Sequence, residues 1–344
     1  MLRSLKTSLL AAAATVVAFS SAMAEELNFY NWTDYTSPEL IEMFEAETGI
    51  KVNLDTYDSN ETLLAKLQSG ATGYDVAVPS QNFVEIMIKE GLIQKFGASG
   101  LSNYGNLHDQ FQKPDWDPEG EYTVPFHWGS ASMGYRKDLY GKDVESWGEF
   151  FEPGPELAGK LQVFRTPDEV LNLASLYLGV ELCTEDPAEA AKILALFEGQ
   201  KPSVLLYSSE NMTDRLATGE TIMANTWNGD SMKGRMEANE NIAYAYPKEG
   251  VIGWFDSLVI PTGATNIEAA KKFIDFHMRP EVIALSSNYA RYSNAVKGSD
   301  AFMDDEMKSA AEMVPPADVP VFASPVCSPA AQKLVDRIWT KLFQ

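Results

Sequence analysis

From Glu25 onward the chain alternates short apolar runs with longer amphipathic ones, and this rhythm constrains the fold more than any single motif. Leu27-Asn28-Phe29-Tyr30 reads as a strand. Ser37-Pro38 supplies a helix cap and a first helical residue, Leu40, Ile41 and Phe44 make one apolar face, and Gly49 stops the helix. A second strand spans Ile50 to Leu54. Asn60 is the expected cap of the next helix, which carries Leu63, Leu64 and Leu67 and ends at Gly70. Asp75-Val76-Ala77-Val78-Pro79 has the unbroken apolar character of a strand buried on both faces, and Ser80 caps a helix bearing Phe83, Ile86 and Met87. Strand and helix in turn predict an α/β fold on a largely parallel sheet.

A loop-rich stretch from Gly97 to Asp117 separates this block from Tyr122-Thr123-Val124-Pro125-Phe126, after which the pattern restarts. Trp147 to Phe151, Asp168 to Leu178, Pro187 to Phe197 and Ile267 to Met278 read as helices. Leu161 to Phe164, Thr221 to Asn225 and Leu258 to Pro261 read as strands. Two α/β lobes of unequal length fit this better than one long sheet, given ordinary domain sizes. Gly129-Ser130-Ala131-Ser132-Met133-Gly134 lacks the spacing of a nucleophile elbow and reads as a crossover between the lobes.

The start of the chain has a different character. Basic Arg3 and Lys6, an apolar run from Leu9 to Phe19 and Ala22-Met23-Ala24 form the pattern of a secretory signal peptide over residues 1–24. No Cys follows the cleavage site for lipid attachment, so a soluble periplasmic protein is expected. In that oxidising compartment the two cysteines, Cys183 and Cys327, favour a disulfide, with two buried thiols as the alternative. The 27 Lys and Arg against 49 Asp and Glu give a net charge of -22, which excludes a general nucleic-acid binder and points to cations or neutral surfaces as partners. His108, His127 and His277 are scattered, no zinc spacing occurs and the phosphate-loop and dinucleotide fingerprints are missing, so no cofactor or metal is expected.

Aromatic and acidic residues instead recur together near the ends of expected strands. Asn31-Trp32-Thr33-Asp34-Tyr35 follows the first strand, Ser80 and Asn82 follow Asp75 to Pro79, and Thr166-Pro167-Asp168-Glu169 follows Leu161 to Arg165. Trp227-Asn228-Gly229-Asp230 follows Thr221 to Asn225, whereas Trp254-Phe255-Asp256 precedes the strand from Leu258. Strand carboxyl ends are where open α/β sheets bind ligands. An ammonium leaving water needs carboxylates and other acceptors around it, and a methylene chain needs flat apolar walls such as Trp and Tyr faces. The combination describes a box for an aliphatic polycation.

At these motifs the chain resembles the periplasmic spermidine/putrescine-binding proteins, the polyamine branch of ABC-transporter solute-binding proteins. The resemblance runs through Tyr30 to Tyr35, Glu47 to Val52, Asp58-Ser59-Asn60-Glu61, Tyr74-Asp75 through Ser80, Trp227-Asn228-Gly229, Tyr246 to Gly250 and Asp256-Ser257-Leu258 through Pro261. It implies a type II periplasmic binding protein, two α/β lobes joined by a hinge with the ligand in the cleft, working as a monomer that delivers an amine to an inner-membrane permease. Residues 25–129 and 255–300 would form the first lobe, 130–254 and 301–344 the second. By resemblance, Trp32, Tyr35, Trp227 and Trp254 wall the ligand, while Thr33, Asp34, Glu169 and Asp256 hold its amino groups. Asp230 and Tyr292 match putrescine-type members, and Asn82 and Thr166 depart from the spermidine pattern. Arg165 either pairs with a carboxylate such as Glu169 or holds a ligand carboxylate beside the Ser80 helix end, which keeps a zwitterion such as GABA as an alternative. A hydrolase using Asp230 and Asp256 is the remote reading.

Overall fold

A computed structural model describes residues 25–70 and 73–344. The expected signal peptide, residues 1–24, lies outside the described residues. The strands are β1 (Glu26–Trp32), β2 (Lys51–Tyr57), β3 (Val76–Ala77), β4 (Thr123–Arg136), β5 (Leu161–Val163), β6 (Val204–Tyr207), β7 (Met223–Trp227), β8 (Ile242–Ala245), β9 (Val251–Val259), β10 (Ser293–Asn294) and β11 (Val321–Ala323). They join in one sheet of order β2-β1-β3-β9-β4-β7-β5-β6, with β8 and β10 also on β4 and β11 on β9.

The expected rhythm is present, and the largely parallel sheet needs correction. The wings are parallel, β1 with β2 and β3 on one side and β5 with β6 and β7 on the other. The middle is antiparallel, because β4 pairs β7, β8 and β9 in that sense. A chain that leaves one half of the molecule on one strand and returns on its neighbour must run the two in opposite directions.

β4 is that outgoing strand. Val124 and Phe126 pack in one core with Leu27 and Phe29 of β1, Phe44 of the Pro38–Thr48 helix and Phe273 of the Ile267–His277 helix. Ala131, Met133 and Tyr135 pack in a second core with Trp147, Phe150, Leu161, Leu173 and Phe197. β9 returns, with Ile252 in the second core and Leu258 in the first. The Gly-rich stretch read as a crossover is therefore a strand, and its glycines are required by close packing rather than by turns. A Cβ on Gly129 would run into the Trp254 ring and Asn228 Oδ1, and one on Gly134 into Thr226 and Ser231. Likewise Trp254 and Asp256 lie within β9 and not before a strand, and Ser59 rather than Asn60 caps its helix by accepting from Thr62 N.

Cys183 and Cys327 are bonded, with Cα atoms 5.1 Å apart and a separation of 144 positions in sequence. Cys183 follows the Pro167–Leu178 helix and Cys327 precedes the Pro329–Leu342 helix, and both helices contribute to the second core. The bridge thus fastens the C-terminal helix to its own core. Replacing both cysteines by serine is expected to lower the unfolding free energy in urea by about 2–4 kcal/mol, through the larger freedom of the unfolded chain. An unchanged urea midpoint would show that helix packing alone holds the C-terminus.

Candidate functional site

The strand ends converge on one cavity of about 160 Å³ between the two cores. Its first wall grows from β1 and β3. Trp32 ends β1 and is held by Nε1 donating to Val78 O at 2.9 Å, which turns its face to the cavity. Asp34 takes a left-handed backbone, φ 56°, in the turn that follows, a conformation its short side chain tolerates. Ser80 stands at the N-cap position of the Gln81–Glu90 helix without a side-chain cap bond and interlocks with Asn60, its N–H donating to Asn60 Oδ1 and its Oγ accepting from Asn60 Nδ2, both at 3.0 Å.

The opposite wall comes from two helix starts. Asp168 and Glu169 stand in the first turn of the Pro167–Leu178 helix, and Asp230 in the first turn of the Asn228–Glu237 helix, where the helix dipole favours negative charge. Trp227 Nε1 and Thr166 Oγ1 donate to the two oxygens of Glu169 at 2.9 and 3.0 Å. Trp227 in turn stacks on Phe164, ring centres 4.5 Å apart. The floor is β9 with Tyr292: Trp254 meets Tyr292 edge to face at 5.0 Å, and the Tyr292 hydroxyl donates to Asp230 Oδ1 at 3.3 Å.

Asp256 is the most enclosed of these carboxylates, 4% exposed, with Tyr35 OH donating to one oxygen at 2.8 Å and Ser80 Oγ to the other at 2.7 Å. Burial pushes its carboxyl up to about 7 despite these two hydrogen bonds. Burial also raises Glu169 to about 7, against the pull of Trp227 and Thr166, with Glu61 and Asp256 adding repulsion. Asp230 rises to about 6 for the same primary cause, offset by Tyr292 and Lys233 and reinforced by Asp34. All told, seven carboxylates line the cavity, those of Asp34, Asp58, Glu61, Asp168, Glu169, Asp230 and Asp256, and no Lys, Arg or His is among the lining residues. The described residues contain no group of three His, Cys, Asp or Glu arranged to hold a metal ion.

Of the residues singled out in the sequence, Trp32, Thr33, Asp34, Tyr35, Ser80, Asn82, Thr166, Glu169, Trp227, Asp230, Trp254, Asp256 and Tyr292 all line this cavity. Arg165 does not. Its side chain is exposed with the guanidinium 5.7 Å from the Phe343 ring, and the Glu169 oxygens expected to pair with it are taken by Trp227 and Thr166. Asp58, Ser59, Asn60, Glu61, Phe83, Asp168, Ile252 and Ser324 complete the lining. Asp58 directly follows β2, so the strand-end rule that found the others applies to it as well. Ile252 and Ser324 carry no such signal.

A family model of bacterial extracellular solute-binding proteins matches residues 39–315. The chain belongs to that family. This solute-binding protein is 40% identical over 279 residues to the spermidine/putrescine-binding periplasmic protein of Escherichia coli strain K12, covering 80% of this chain and 79% of the relative. It is 34% identical over 336 residues to the putrescine-binding periplasmic protein SpuD of Pseudomonas aeruginosa, covering 92% and 91%. The spermidine/putrescine ABC transporter substrate-binding protein PotD of Streptococcus pneumoniae superposes with a TM-score of 0.79 at 26% identity, over 93% of this chain and 98% of that one. The fold is therefore the two-lobed type II periplasmic binding fold, and the family and these relatives are solute-binding proteins rather than hydrolases of the kind considered for Asp230 and Asp256.

The raised carboxyls make a statement about stability. Each binds its proton more tightly in the folded chain than in the unfolded one, where carboxyls titrate near ~4. The empty solute-binding protein consequently loses stability as pH rises from that range through about 6 to 7. Asp256→Asn removes one such charge, and it is expected to raise the melting temperature of the empty protein at pH 8 while leaving it little changed at pH 4. Equal effects at both pH values would show that hydrogen bonding, not charge, governs that site.

Proposed function

We propose that this protein captures a linear polyamine in the periplasm, putrescine in preference to spermidine, and delivers it to an inner-membrane ABC permease. The observation that carries the reading is the cavity whose lining combines seven carboxylates with Trp32, Trp227, Trp254 and Tyr292 and contains no basic side chain. The secretory character of residues 1–24 and the names of its relatives support the compartment and the ligand class. The lobes are residues 25–129 with 255–300 and 130–254 with 301–344, a division supported by the membership of the two cores.

In this reading Asp256, flanked by Tyr35 and Ser80, takes one ammonium, and Asp230 with Asp34 takes the other. Trp254, Trp227 and Trp32 cover the methylenes, and Glu169 faces them from the second lobe. Repulsion among unpaired carboxylates disfavours closure of the empty cleft, and a dication removes it, so the ligand binds the closed state better and shifts the population toward it. A ligand carboxylate has no counterpart here. Arg165 points away, and Ser80 at the helix start already faces Asp256. One arrangement favours a longer amine: Asp58, Glu61 and Asp168 supply acidic groups beyond the two needed by a diamine.

Thermal melts with putrescine, cadaverine, spermidine, agmatine and GABA test the ligand class, since a ligand of the folded state raises the melting temperature. The largest shift is expected with putrescine. A larger one with spermidine would assign the third acidic group to a third ammonium, and a shift with GABA alone would overturn the polyamine reading. Calorimetry should show that Asp230→Asn or Asp256→Asn costs about 3–5 kcal/mol of putrescine binding. Affinity should also fall as pH is lowered from 8 through 6, with protons released on binding, because the carboxyls near 7, 7 and 6 must ionise to hold ammoniums. A flat profile over that interval would place the ammoniums elsewhere.

A further inference from the structure

His127 lies in β4, within the stretch from Pro125 to Trp128 where the register against β9 shifts, and opposite Asn294 of β10. It is 1% exposed and lines no cavity of the site. Neither ring nitrogen has a hydrogen-bond partner. Burial, reinforced by His277, pushes its imidazole down to about 3, so the ring is neutral at physiological pH and places no positive charge behind the carboxylates. With no hydrogen bond on either nitrogen, the ring is held by packing, aromatic neighbours included.

Phe126 stacks on the ring with centroids 3.9 Å apart, and the other aromatic neighbours are the two tyrosines of the site. His127 meets Tyr35 edge to face, centroids 5.0 Å apart at 86°, and Tyr292 at 6.5 Å, while Tyr35 and Tyr292 are themselves 5.5 Å apart. Each tyrosine holds a different carboxylate, Tyr35 that of Asp256 and Tyr292 that of Asp230. Tyr292 has little freedom on its other side, where it rests against Gly229 so closely that a Cβ there would overlap its ring. The imidazole therefore closes a triangle of rings whose outer corners carry the two acidic poles.

We propose that His127 is a positioning residue that fixes the separation of the Asp256 and Asp230 carboxylates through Tyr35 and Tyr292, and thereby sets the length of diamine the cavity accepts. The proposal rests on the reading of the ligand as a linear amine. A ring wedge is suited to this task because edge-to-face aromatic contacts are directional. An aliphatic side chain of similar volume would fill the space without fixing the tilt of either tyrosine. Of the three rings, only the imidazole belongs to a strand that passes through both cores, so the spacing is tied to the crossing strand itself.

The experiment compares calorimetric affinities for 1,3-diaminopropane, putrescine and cadaverine in the full mature protein, wild type and His127→Ala, with His127→Leu as the space-filling second variant and His127→Phe as the ring-retaining one. The expected result is a loss of about tenfold for the preferred diamine in the alanine and leucine variants, together with a severalfold narrowing of the preference among the three lengths. His127→Phe should lie between these and wild type on both measures. A general packing role would lower the melting temperature while leaving the ratios among diamines unchanged, and that result in a folded alanine or leucine variant overturns the proposal. Wild-type protein that binds neither these diamines nor spermidine would overturn the polyamine reading and this inference together, and binding of spermidine without any diamine overturns the inference alone. Preserved wild-type discrimination with unaltered ratios in the variants overturns the inference alone.

Discussion

The antiparallel pairing of β4 with β9 is the constraint on which the rest of the molecule depends. These two strands carry the chain between the cores, and each supplies side chains to both. The cavity lies where they cross, so Trp254 and Asp256 are fixed by the same ladder that joins the halves. The parallel wings then follow as ordinary α/β units whose strand ends and helix starts face inward from either side. Motion of the halves about the crossing strands must change the separation between β9, which carries Asp256, and the Asn228–Glu237 helix, which carries Asp230.

The site also shows how several acids can share a small space. Helix starts, tyrosine and serine hydroxyls and one indole nitrogen satisfy the carboxylate oxygens, yet burial still holds Asp256, Glu169 and Asp230 above the ordinary carboxyl range. Hydrogen bonding lowers the cost of concentrating charge without cancelling it. In the proposed reading an ammonium relieves the remaining deficit, so the same unfavourable energy that penalises the empty cleft favours the filled one.

Much of this was legible in the amino-acid order. The N-cap positions of Ser37 and Ser80, the glycine stop at Gly49, and the strand-end aromatics and acids all correspond to local rules with a physical basis. What failed is equally informative. β4 was read only as far as Phe126, since Gly and Ser at 129–134 favour loops, and the reason for those glycines is Trp254 and Thr226 from strands far away in the chain. Arg165 was drawn to the site by adjacency in sequence, but its backbone N–H is held by Ser209 Oγ and its side chain leaves toward Phe343. Asp58 and Glu61 were hidden inside a run that reads equally well as a turn and helix cap. Side-chain direction and long-range packing are not encoded in any short window.

The disulfide has a meaning for biogenesis as well as for stability. Cys327 stands 17 residues before the end of the 344-residue chain, and its partner lies 144 residues earlier. In a chain made from its N-terminus onward, the bond cannot close until the span from Cys183 to Cys327, with β6 to β11 inside it, has been made. Covalent closure of the Pro329–Leu342 helix onto its core thus marks molecules in which the strands bearing Trp227, Trp254 and Asp256 are already present.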